Sequence, residues 1–211
     1  MEKRKITTDE LFDSLITVLI NYERNKDILS ETPHRRFLDL ALVPVLLNKK
    51  ENTYEYVSES LIRDYKLDCD KIIDFAYLNH IRTLGIQFRS MFDIFMKIIP
   101  DEAFMEQTDN SFDISSKNTF VLTNKYMLYG ASLLYNKELL EMIGSLFKKD
   151  YYIIPSSVNE IIIFPNIEYN EVSEIKDLIR MVNENVLESE DLFLSNSLYK
   201  YKINYNSIAI L

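Results

Sequence analysis

The sequence has little glycine, histidine and cysteine, and these shortages exclude several common chemistries. Its 211 residues include three glycines, Gly85, Gly130 and Gly144, which are far apart in the sequence. Phosphate-binding loops need clustered glycines for tight turns and close backbone approach, so Walker-type, Rossmann and kinase-type nucleotide sites are excluded. Two histidines and one cysteine cannot build a structural zinc site of the usual Cys/His type. We therefore expect no metal and no other cofactor, although a magnesium site made of carboxylates stays open.

Disulfides and long apolar segments are also missing from the sequence. Cys69 is the single cysteine, so the chain has no internal disulfide and suits a reducing compartment. The charged N-terminal residues are not followed by the apolar stretch of a secretion signal. No apolar run approaches the roughly 18 residues that a membrane span needs. These features predict a cytoplasmic protein with no membrane partner.

Charge and composition limit the classes of partner. The formal net charge is -9, from 24 Lys and Arg against 33 Asp and Glu, which disfavours nucleic acid and anionic membranes. The hydrophobic fraction of 47% and the charged fraction of 27% are typical of globular proteins. A chain of this length can bury a substantial core, and we expect one compact domain over residues 1–211.

Helical spacing dominates the pattern of apolar residues in the first half of the chain. Thr7 and Glu10 have capping-box spacing and precede a predicted first helix whose apolar positions run to Leu19. Residues 37–47 are rich in Leu and Val, but Pro44 favours an edge strand or a kinked segment over a central strand. A short strand at residues 54–57 and helical stripes at residues 68–81 and 88–99 follow.

The second half, from residue 119, has a different pattern. Residues 120–122 and 127–134 predict one hairpin, and residues 151–154 and 158–164 predict a second hairpin around Pro155. Amphipathic helices are predicted at residues 137–147 and 171–186, with a last strand at 198–205, whereas residues 106–118 resemble a polar connection. The prediction is an α+β fold, in which a helical N-terminal half (residues 1–105) packs with a C-terminal β-β-α-β-β-α-β unit (residues 119–211). Its antiparallel sheet would have about four to six strands, with helices on one face.

One polar turn is the best candidate for a binding site. His34, Arg35, Arg36 and Asp39 place an imidazole, two guanidinium groups and a carboxylate within a few residues. His34 and Asp39 could act as an acid/base pair while the two arginines hold a carboxylate or phosphate. The alternative, which we favour, is that the arginines neutralise nearby carboxylates and stabilise the turn.

A second candidate is the segment Pro155-Ser156-Ser157-Val158-Asn159-Glu160, in which Ser156 or Ser157 could act with Glu160. No G-x-S-x-G turn and no histidine accompany it, so we expect these hydroxyls to satisfy backbone groups in a turn. We assign no catalytic residue from the sequence.

Five short segments, in this order, resemble an uncharacterised bacterial family of unknown function. They correspond to the motifs NYExN (from Asn21), PHRxFLDLA (from Pro33), VLTNK followed by GA (from Val121), PSSxxE (from Pro155) and LSxSxYxY (from Leu194). The resemblance supplies no activity. Relatives often have His where this chain has Asn159, a difference that weakens a catalytic role for Glu160.

Three functions follow as hypotheses. The leading one is a non-enzymatic binding or regulatory protein whose acidic surface, rich in its 14 tyrosines, contacts another protein. The first alternative is a small-ligand binder or enzyme with a pocket near the His34 turn, formed by residues that converge in one cleft. The second alternative is a phage or mobile-element inhibitor that mimics the charge of nucleic acid.

Overall fold

The structure is a computed structural model that describes residues 7–91, 93–94, 119–165, 171–185 and 192–211. Within these ranges the chain forms two antiparallel β-sheets together with helices. The predicted α+β class is therefore confirmed. The helical stripe predicted at residues 88–99 is wrong at its start, where Gln87–Ser90 is a strand paired with a later segment. Most of its other residues, and the connection at 106–118, lie outside the described residues.

The first sheet is built by the N-terminal half of the chain. Its central strand, β3 (Leu40–Asn48), pairs with β1 (Leu15–Asn21) on one side and with β2 (Arg35–Phe37) and β4 (Thr53–Tyr56) on the other. A helical N-terminal half is thus not confirmed, because four strands occupy the region where the sequence pattern predicts mainly helices.

The predicted first helix is shorter than its apolar pattern suggests. The Thr7 capping box starts α1 (Thr8–Ser14), but the chain turns into β1 at Leu15. Every residue of β1 is buried and pairs with β3, from Leu15 opposite Leu46 to Asn21 opposite Leu40. The run of β-branched residues in this segment suits a strand, and pairing along its whole length outweighs the helical spacing of its leucines.

Pro44 lies in the central strand, so the prediction of an edge or kinked segment is wrong. It is opposite Thr17 of β1, and its carbonyl accepts a hydrogen bond from the Val57 amide (3.3 Å) on the side away from β1. In a strand, the amide nitrogen and carbonyl of one residue point to the same side. On that side β2 pairing ends at Leu42 and β4 pairing begins at Val45, so no ladder bond needs the missing proline N–H.

The second sheet has the order β10-β9-β7-β8-β6-β5 among the described strands, all antiparallel. The strands are β5 (Gln87–Ser90), β6 (Phe120–Thr123), β7 (Tyr151–Ser157), β8 (Glu160–Phe164), β9 (Tyr199–Lys202) and β10 (Ser207–Ile210). Buried residues of both sheets belong to one hydrophobic cluster. The two sheets therefore share one hydrophobic core.

The hairpin predicted at residues 120–134 is wrong in its second strand. After β6 the chain forms a turn and then the 3-10 helix Gly130–Tyr135. The second hairpin does form, but Pro155 and both serines lie inside β7, and its two-residue turn is Val158-Asn159.

Five further α-helices lie among the described residues. They are α2 (Lys26–Leu29), α3 (Glu59–Tyr65), α4 (Cys69–Leu84), α5 (Lys137–Phe147) and α6 (Glu171–Asn185), and a short 3-10 helix spans Ile203–Tyr205. Of these, α4, α5 and α6 begin and end within a few residues of the predicted bounds. Among the described residues, no helix is both long and apolar enough to cross a membrane.

Candidate functional site

Asn21, the last residue of β1, joins two distant parts of the chain. Its buried side-chain amide donates to the Leu194 carbonyl (2.9 Å), and its side-chain carbonyl accepts from the Arg24 amide (3.0 Å). Asn25 donates from its own side chain to the Asn21 backbone carbonyl (2.8 Å). These bonds fix the turn after β1 beside the segment that precedes β9.

The turn held by Asn21 places a guanidinium group on an aromatic ring. The Arg24 guanidinium carbon lies 3.7 Å from the centre of the Phe193 ring, which is buried. At this distance the cation is attracted to the negative face of the ring, and the stack restricts a long side chain that is otherwise flexible. Arg24 and Phe193 therefore form a preorganised pair.

Three tyrosines form an aromatic cluster close to this pair. Tyr54 and Tyr56 lie on the same face of β4, with ring centres 5.2 Å apart, and Tyr129 is 5.1 Å from Tyr54. Both ring pairs are edge-to-face, a favourable arrangement for aromatic quadrupoles. The Tyr129 hydroxyl donates to the Asn52 carbonyl (2.8 Å), and burial raises the pKa of Tyr129. This phenol stays protonated and ties the 3-10 helix to the β3–β4 turn.

A pocket of about 530 Å³ opens between these groups, and we name it the Arg24 pocket. Its described aromatic walls are Tyr54, Tyr56, Tyr129 and Phe193. Its described polar walls are Arg24, Asn25, Asn52 and Thr53, and its aliphatic walls are Ile20, Ile28, Val158 and Leu192. The volume lies within the range of about 300–1,000 Å³ that is usual for small-molecule sites. Arg24 is the charged residue among these walls.

Asp39 forms hydrogen bonds that join the first sheet to the segment before β9. It lies in the two-residue turn between β2 and β3, where Leu38 adopts a left-handed backbone conformation (φ 57°). The carboxylate accepts hydrogen bonds from Ser195 (2.6 Å), Ser197 (3.0 Å) and the Tyr199 hydroxyl. Burial and the nearby Asp39 charge raise the pKa of Tyr199, so its hydroxyl remains a donor. Asp39 thereby connects the first sheet to the entry of β9.

Of the other residues of the His34 turn, Arg35 faces α4, whereas Arg36 and His34 both lie near the Tyr22 ring. Arg35 binds Asp74 of α4 (2.6 Å), and that hydrogen bond raises the pKa of Arg35. Arg36 lies instead over the Tyr22 ring (4.4 Å), because neighbouring residues of a strand face opposite sides. His34 is bonded through Nδ1 to the Thr32 carbonyl (3.0 Å) and lies near the Tyr22 ring.

The Ser156-Ser157-Glu160 group lies at the β7–β8 hairpin. Ser157 pairs with Glu160 across the turn and accepts a hydrogen bond from the Asn159 amide (3.2 Å). Ser156 falls where the pairing register shifts between Ile154 and Ser157. Burial raises the pKa of the Glu160 carboxyl. No described contact joins this group to His34, Arg35, Arg36 or Asp39.

None of the sequence-predicted residues lines the Arg24 pocket, and no described contact brings all of them together. The pocket residues that sequence reasoning missed are chiefly Arg24, Phe193 and the three tyrosines. A partial signal exists: Tyr54 and Tyr56 alternate on a strand, and Arg24 belongs to the NYExN segment that carries the family resemblance. Nothing in the sequence indicates that Arg24 meets Phe193.

Within the described ranges, no group of three or more His, Cys, Asp or Glu side chains is placed to hold a metal ion. The two antiparallel sheets and their helices define an α+β protein with a pocket at the rim of the first sheet. The chain belongs to the Family of unknown function (DUF5688), whose model matches residues 3–203. No curated protein and no solved structure matches the chain.

Proposed function

We propose that this protein binds a small organic molecule in the Arg24 pocket. The observation that carries the proposal is the pocket itself: four aromatic side chains and one stacked guanidinium from separate parts of the chain border a volume of about 530 Å³. Binding sites for small molecules combine mostly apolar walls with a few oriented polar groups. The pocket has that composition.

The pocket is held by hydrogen bonds to backbone groups, as a preformed site requires. Asn21 fixes the Arg24 turn and the Leu194 segment, while Tyr129 fixes the β3–β4 turn. A ligand that enters such a site orders few additional side chains, so less of the binding free energy is lost to conformational entropy.

Binding is favoured over catalysis by the chemistry of the walls. The described walls contain no histidine, carboxylate, thiol or lysine that could serve as a nucleophile or general base. Burial raises the pKa of Tyr129, which disfavours a phenolate there. We therefore propose a non-enzymatic ligand-binding protein.

A pocket-filling substitution tests the proposal. Ile28→Trp places a larger side chain at the pocket wall, and a library of several hundred common metabolites is screened by thermal shift against this variant and the natural chain. A ligand that binds the folded state raises the apparent melting temperature by mass action. We expect compounds that stabilise the natural chain and lose their effect in Ile28→Trp.

Leu146→Trp is the matched control, because Leu146 is 66% exposed on α5 and does not line the Arg24 pocket. The same compounds should stabilise this control as they do the natural chain. The proposal is wrong if no compound stabilises the natural chain, or if the stabilising compounds act equally on Ile28→Trp.

The hypothesis of a Tyr-rich protein-binding surface stays a prediction. Of the tyrosines that the structure describes, only Tyr126 and Tyr205 are exposed, while Tyr151, Tyr199 and Tyr201 are buried in the core. That distribution leaves little tyrosine for a contact surface, so the pocket has the stronger support. Mimicry of nucleic-acid charge also stays a prediction, to be checked by mapping the spacing of surface carboxylates.

A further inference from the structure

We infer that the Arg24 pocket is selective for small ligands that combine a planar ring with an anionic oxygen group, such as a carboxylate or a phosphate. The inference rests on the proposed function and adds the chemical class of the ligand. It is carried by two features of the same pocket: a stacked guanidinium with no partner among the described residues, and aromatic walls.

The N–H donors of the Arg24 guanidinium are available to a ligand. Its contact with Phe193 uses the face of the group, and within the described part of the chain its N–H groups have no hydrogen-bond or ion-pair partner. The N–H donors of a guanidinium lie in its plane, where they can bind the two oxygens of a carboxylate or phosphate side by side. Stacking on Phe193 therefore leaves the binding edge of Arg24 available.

Four other arginines of the described residues pair with carboxylates. The described ion pairs are Arg35 with Asp70 and Asp74, Arg63 with Glu59, Arg82 with Asp13, and Arg180 with Asp177. Arg24 has no such partner among the described residues, and Arg36, which also lies over an aromatic ring, donates instead to the Leu38 carbonyl (3.3 Å). The described walls of the pocket contain one positive group and no negative group, so their charge is complementary to an anion.

The aromatic walls select the rest of the ligand. Tyr54 is nearly perpendicular to both Tyr56 and Tyr129 (interplanar angles of 85° and 84°), so the walls present rings in more than one orientation. A flat ring can stack on one ring and meet another edge-on, which adds to the free energy of burying its apolar surface. A compact inorganic anion would leave these walls unused.

Matched pairs of probes separate the contributions of charge and ring. Binding of 4-hydroxybenzoate is compared with 4-hydroxybenzamide, and AMP with adenosine, by ligand-observed NMR titration; inorganic phosphate supplies the anion without a ring. We expect at least one charged probe to bind about tenfold or more tightly than its neutral counterpart, consistent with a charge-assisted hydrogen-bond pair. Which pair shows the effect distinguishes a carboxylate ligand from a phosphate ligand.

Two variants of equal net charge locate the effect. Arg24→Gln should remove the preference for the charged probe, whereas Arg63→Gln, on α3 outside the pocket, should retain it. Equal binding of charged and neutral probes, or the same loss in both variants, overturns the inference. Competition by inorganic phosphate as strong as that of AMP overturns the ring requirement.

Failure of the inference can be told from failure of the proposed function. If none of the probes binds but the metabolite screen yields compounds that Ile28→Trp abolishes, the ligand class is wrong and the pocket remains a binding site. If the screen also yields nothing, both are wrong.

Discussion

At the scale of single residues, Gly130 is the glycine with the least room for a side chain. A Cβ atom there would lie 2.5 Å from Thr123 Oγ1 and 2.6 Å from the Asn159 carbonyl oxygen. The Gly130 amide also donates to that carbonyl (3.0 Å), so the backbone cannot withdraw without breaking the bond. The contact joins the 3-10 helix to the β7–β8 turn.

We predict that Gly130→Ala lowers the free energy of unfolding by about 2–4 kcal/mol, through overpacking and loss of the hydrogen bond. Gly85→Ala is the comparison: its Cβ would meet nothing within 4 Å, so its cost of about 1–3 kcal/mol comes from the backbone conformation (φ 76°, ψ -171°) alone. Urea unfolding measures both variants. No measurable loss in Gly130→Ala would contradict the steric argument.

The spacing of the glycines excludes a phosphate-binding loop, but it does not predict the close contact at Gly130. Three isolated glycines rule out a phosphate loop, and that reasoning needs only their spacing. The need for Gly130 arises from Thr123 and Asn159, two separate segments that the fold brings to the same point. Local spacing contains no information on such an approach.

At the scale of elements, the free edge of β1 is covered by side chains. Asn79 of α4 donates to the Leu15 carbonyl (2.6 Å). The Thr17 carbonyl accepts hydrogen bonds from His80 Nδ1 (2.9 Å) and from the Ser132 hydroxyl (2.9 Å). A carbonyl only accepts, so His80 carries its proton on Nδ1. Complete burial lowers the pKa of His80 to about 4 and keeps the ring neutral.

His80 makes stability depend on pH. Because its pKa in the folded state (about 4) is below its ordinary value of 6.5, the unfolded chain binds more protons between these values. We predict that the free energy of unfolding falls by up to about 3 kcal/mol from this residue as the pH drops from 6.5 to 4. Above pH 6.5 the contribution of His80 is constant.

His80→Asn tests this dependence, because the Asn amide can donate to Thr17 in the place of Nδ1 but does not titrate. Urea unfolding between pH 4 and pH 7 should show a shallower dependence for His80→Asn than for the natural chain. His34→Asn, a substitution of the half-buried histidine bonded to Thr32, should leave the steep dependence in place. A steep dependence that survives in His80→Asn contradicts the prediction.

Helices were more predictable than strands for a physical reason. The side chains that define α4, α5 and α6 are three and four residues apart, so the apolar stripe of each helix is visible within one segment. The strand β1 was predicted as helix because its leucines have helical spacing, while the pairing with β3 that decides its conformation comes from a later segment. Pro44 was misjudged similarly, since the gap between β2 and β4 depends on three strands.

At the scale of the whole molecule, Asp39 links the two sheets. It belongs to the β2–β3 turn of the first sheet, and its three hydroxyl donors precede or begin β9 of the second. Ser195 and Tyr199 are fully buried, so water cannot replace the Asp39 carboxylate as their acceptor if it is removed. Hydrogen bonds to a carboxylate are stronger than those to a neutral amide.

We predict that Asp39→Asn lowers the free energy of unfolding by about 2–4 kcal/mol, because buried hydroxyls are left with a poorer acceptor. Asp64→Asn, an exposed position on α3, makes the same change in net charge and should have little effect. A double-mutant cycle with Tyr199→Phe in urea unfolding should show losses that are not additive. Additive losses would mean that Asp39 and Tyr199 act independently.

The amino-acid sequence by itself determined the α+β class, the helices α4, α5 and α6, and the existence of the β7–β8 hairpin. Each of these follows from composition or from residues a few positions apart. In the His34 turn, strand alternation separates Arg35 from Arg36, and Asp39 turns toward Ser195, so these side chains have separate partners. Only the tertiary structure decided that Arg24 stacks on Phe193 beside three tyrosines, since that pocket is formed by contacts between segments far apart in the chain.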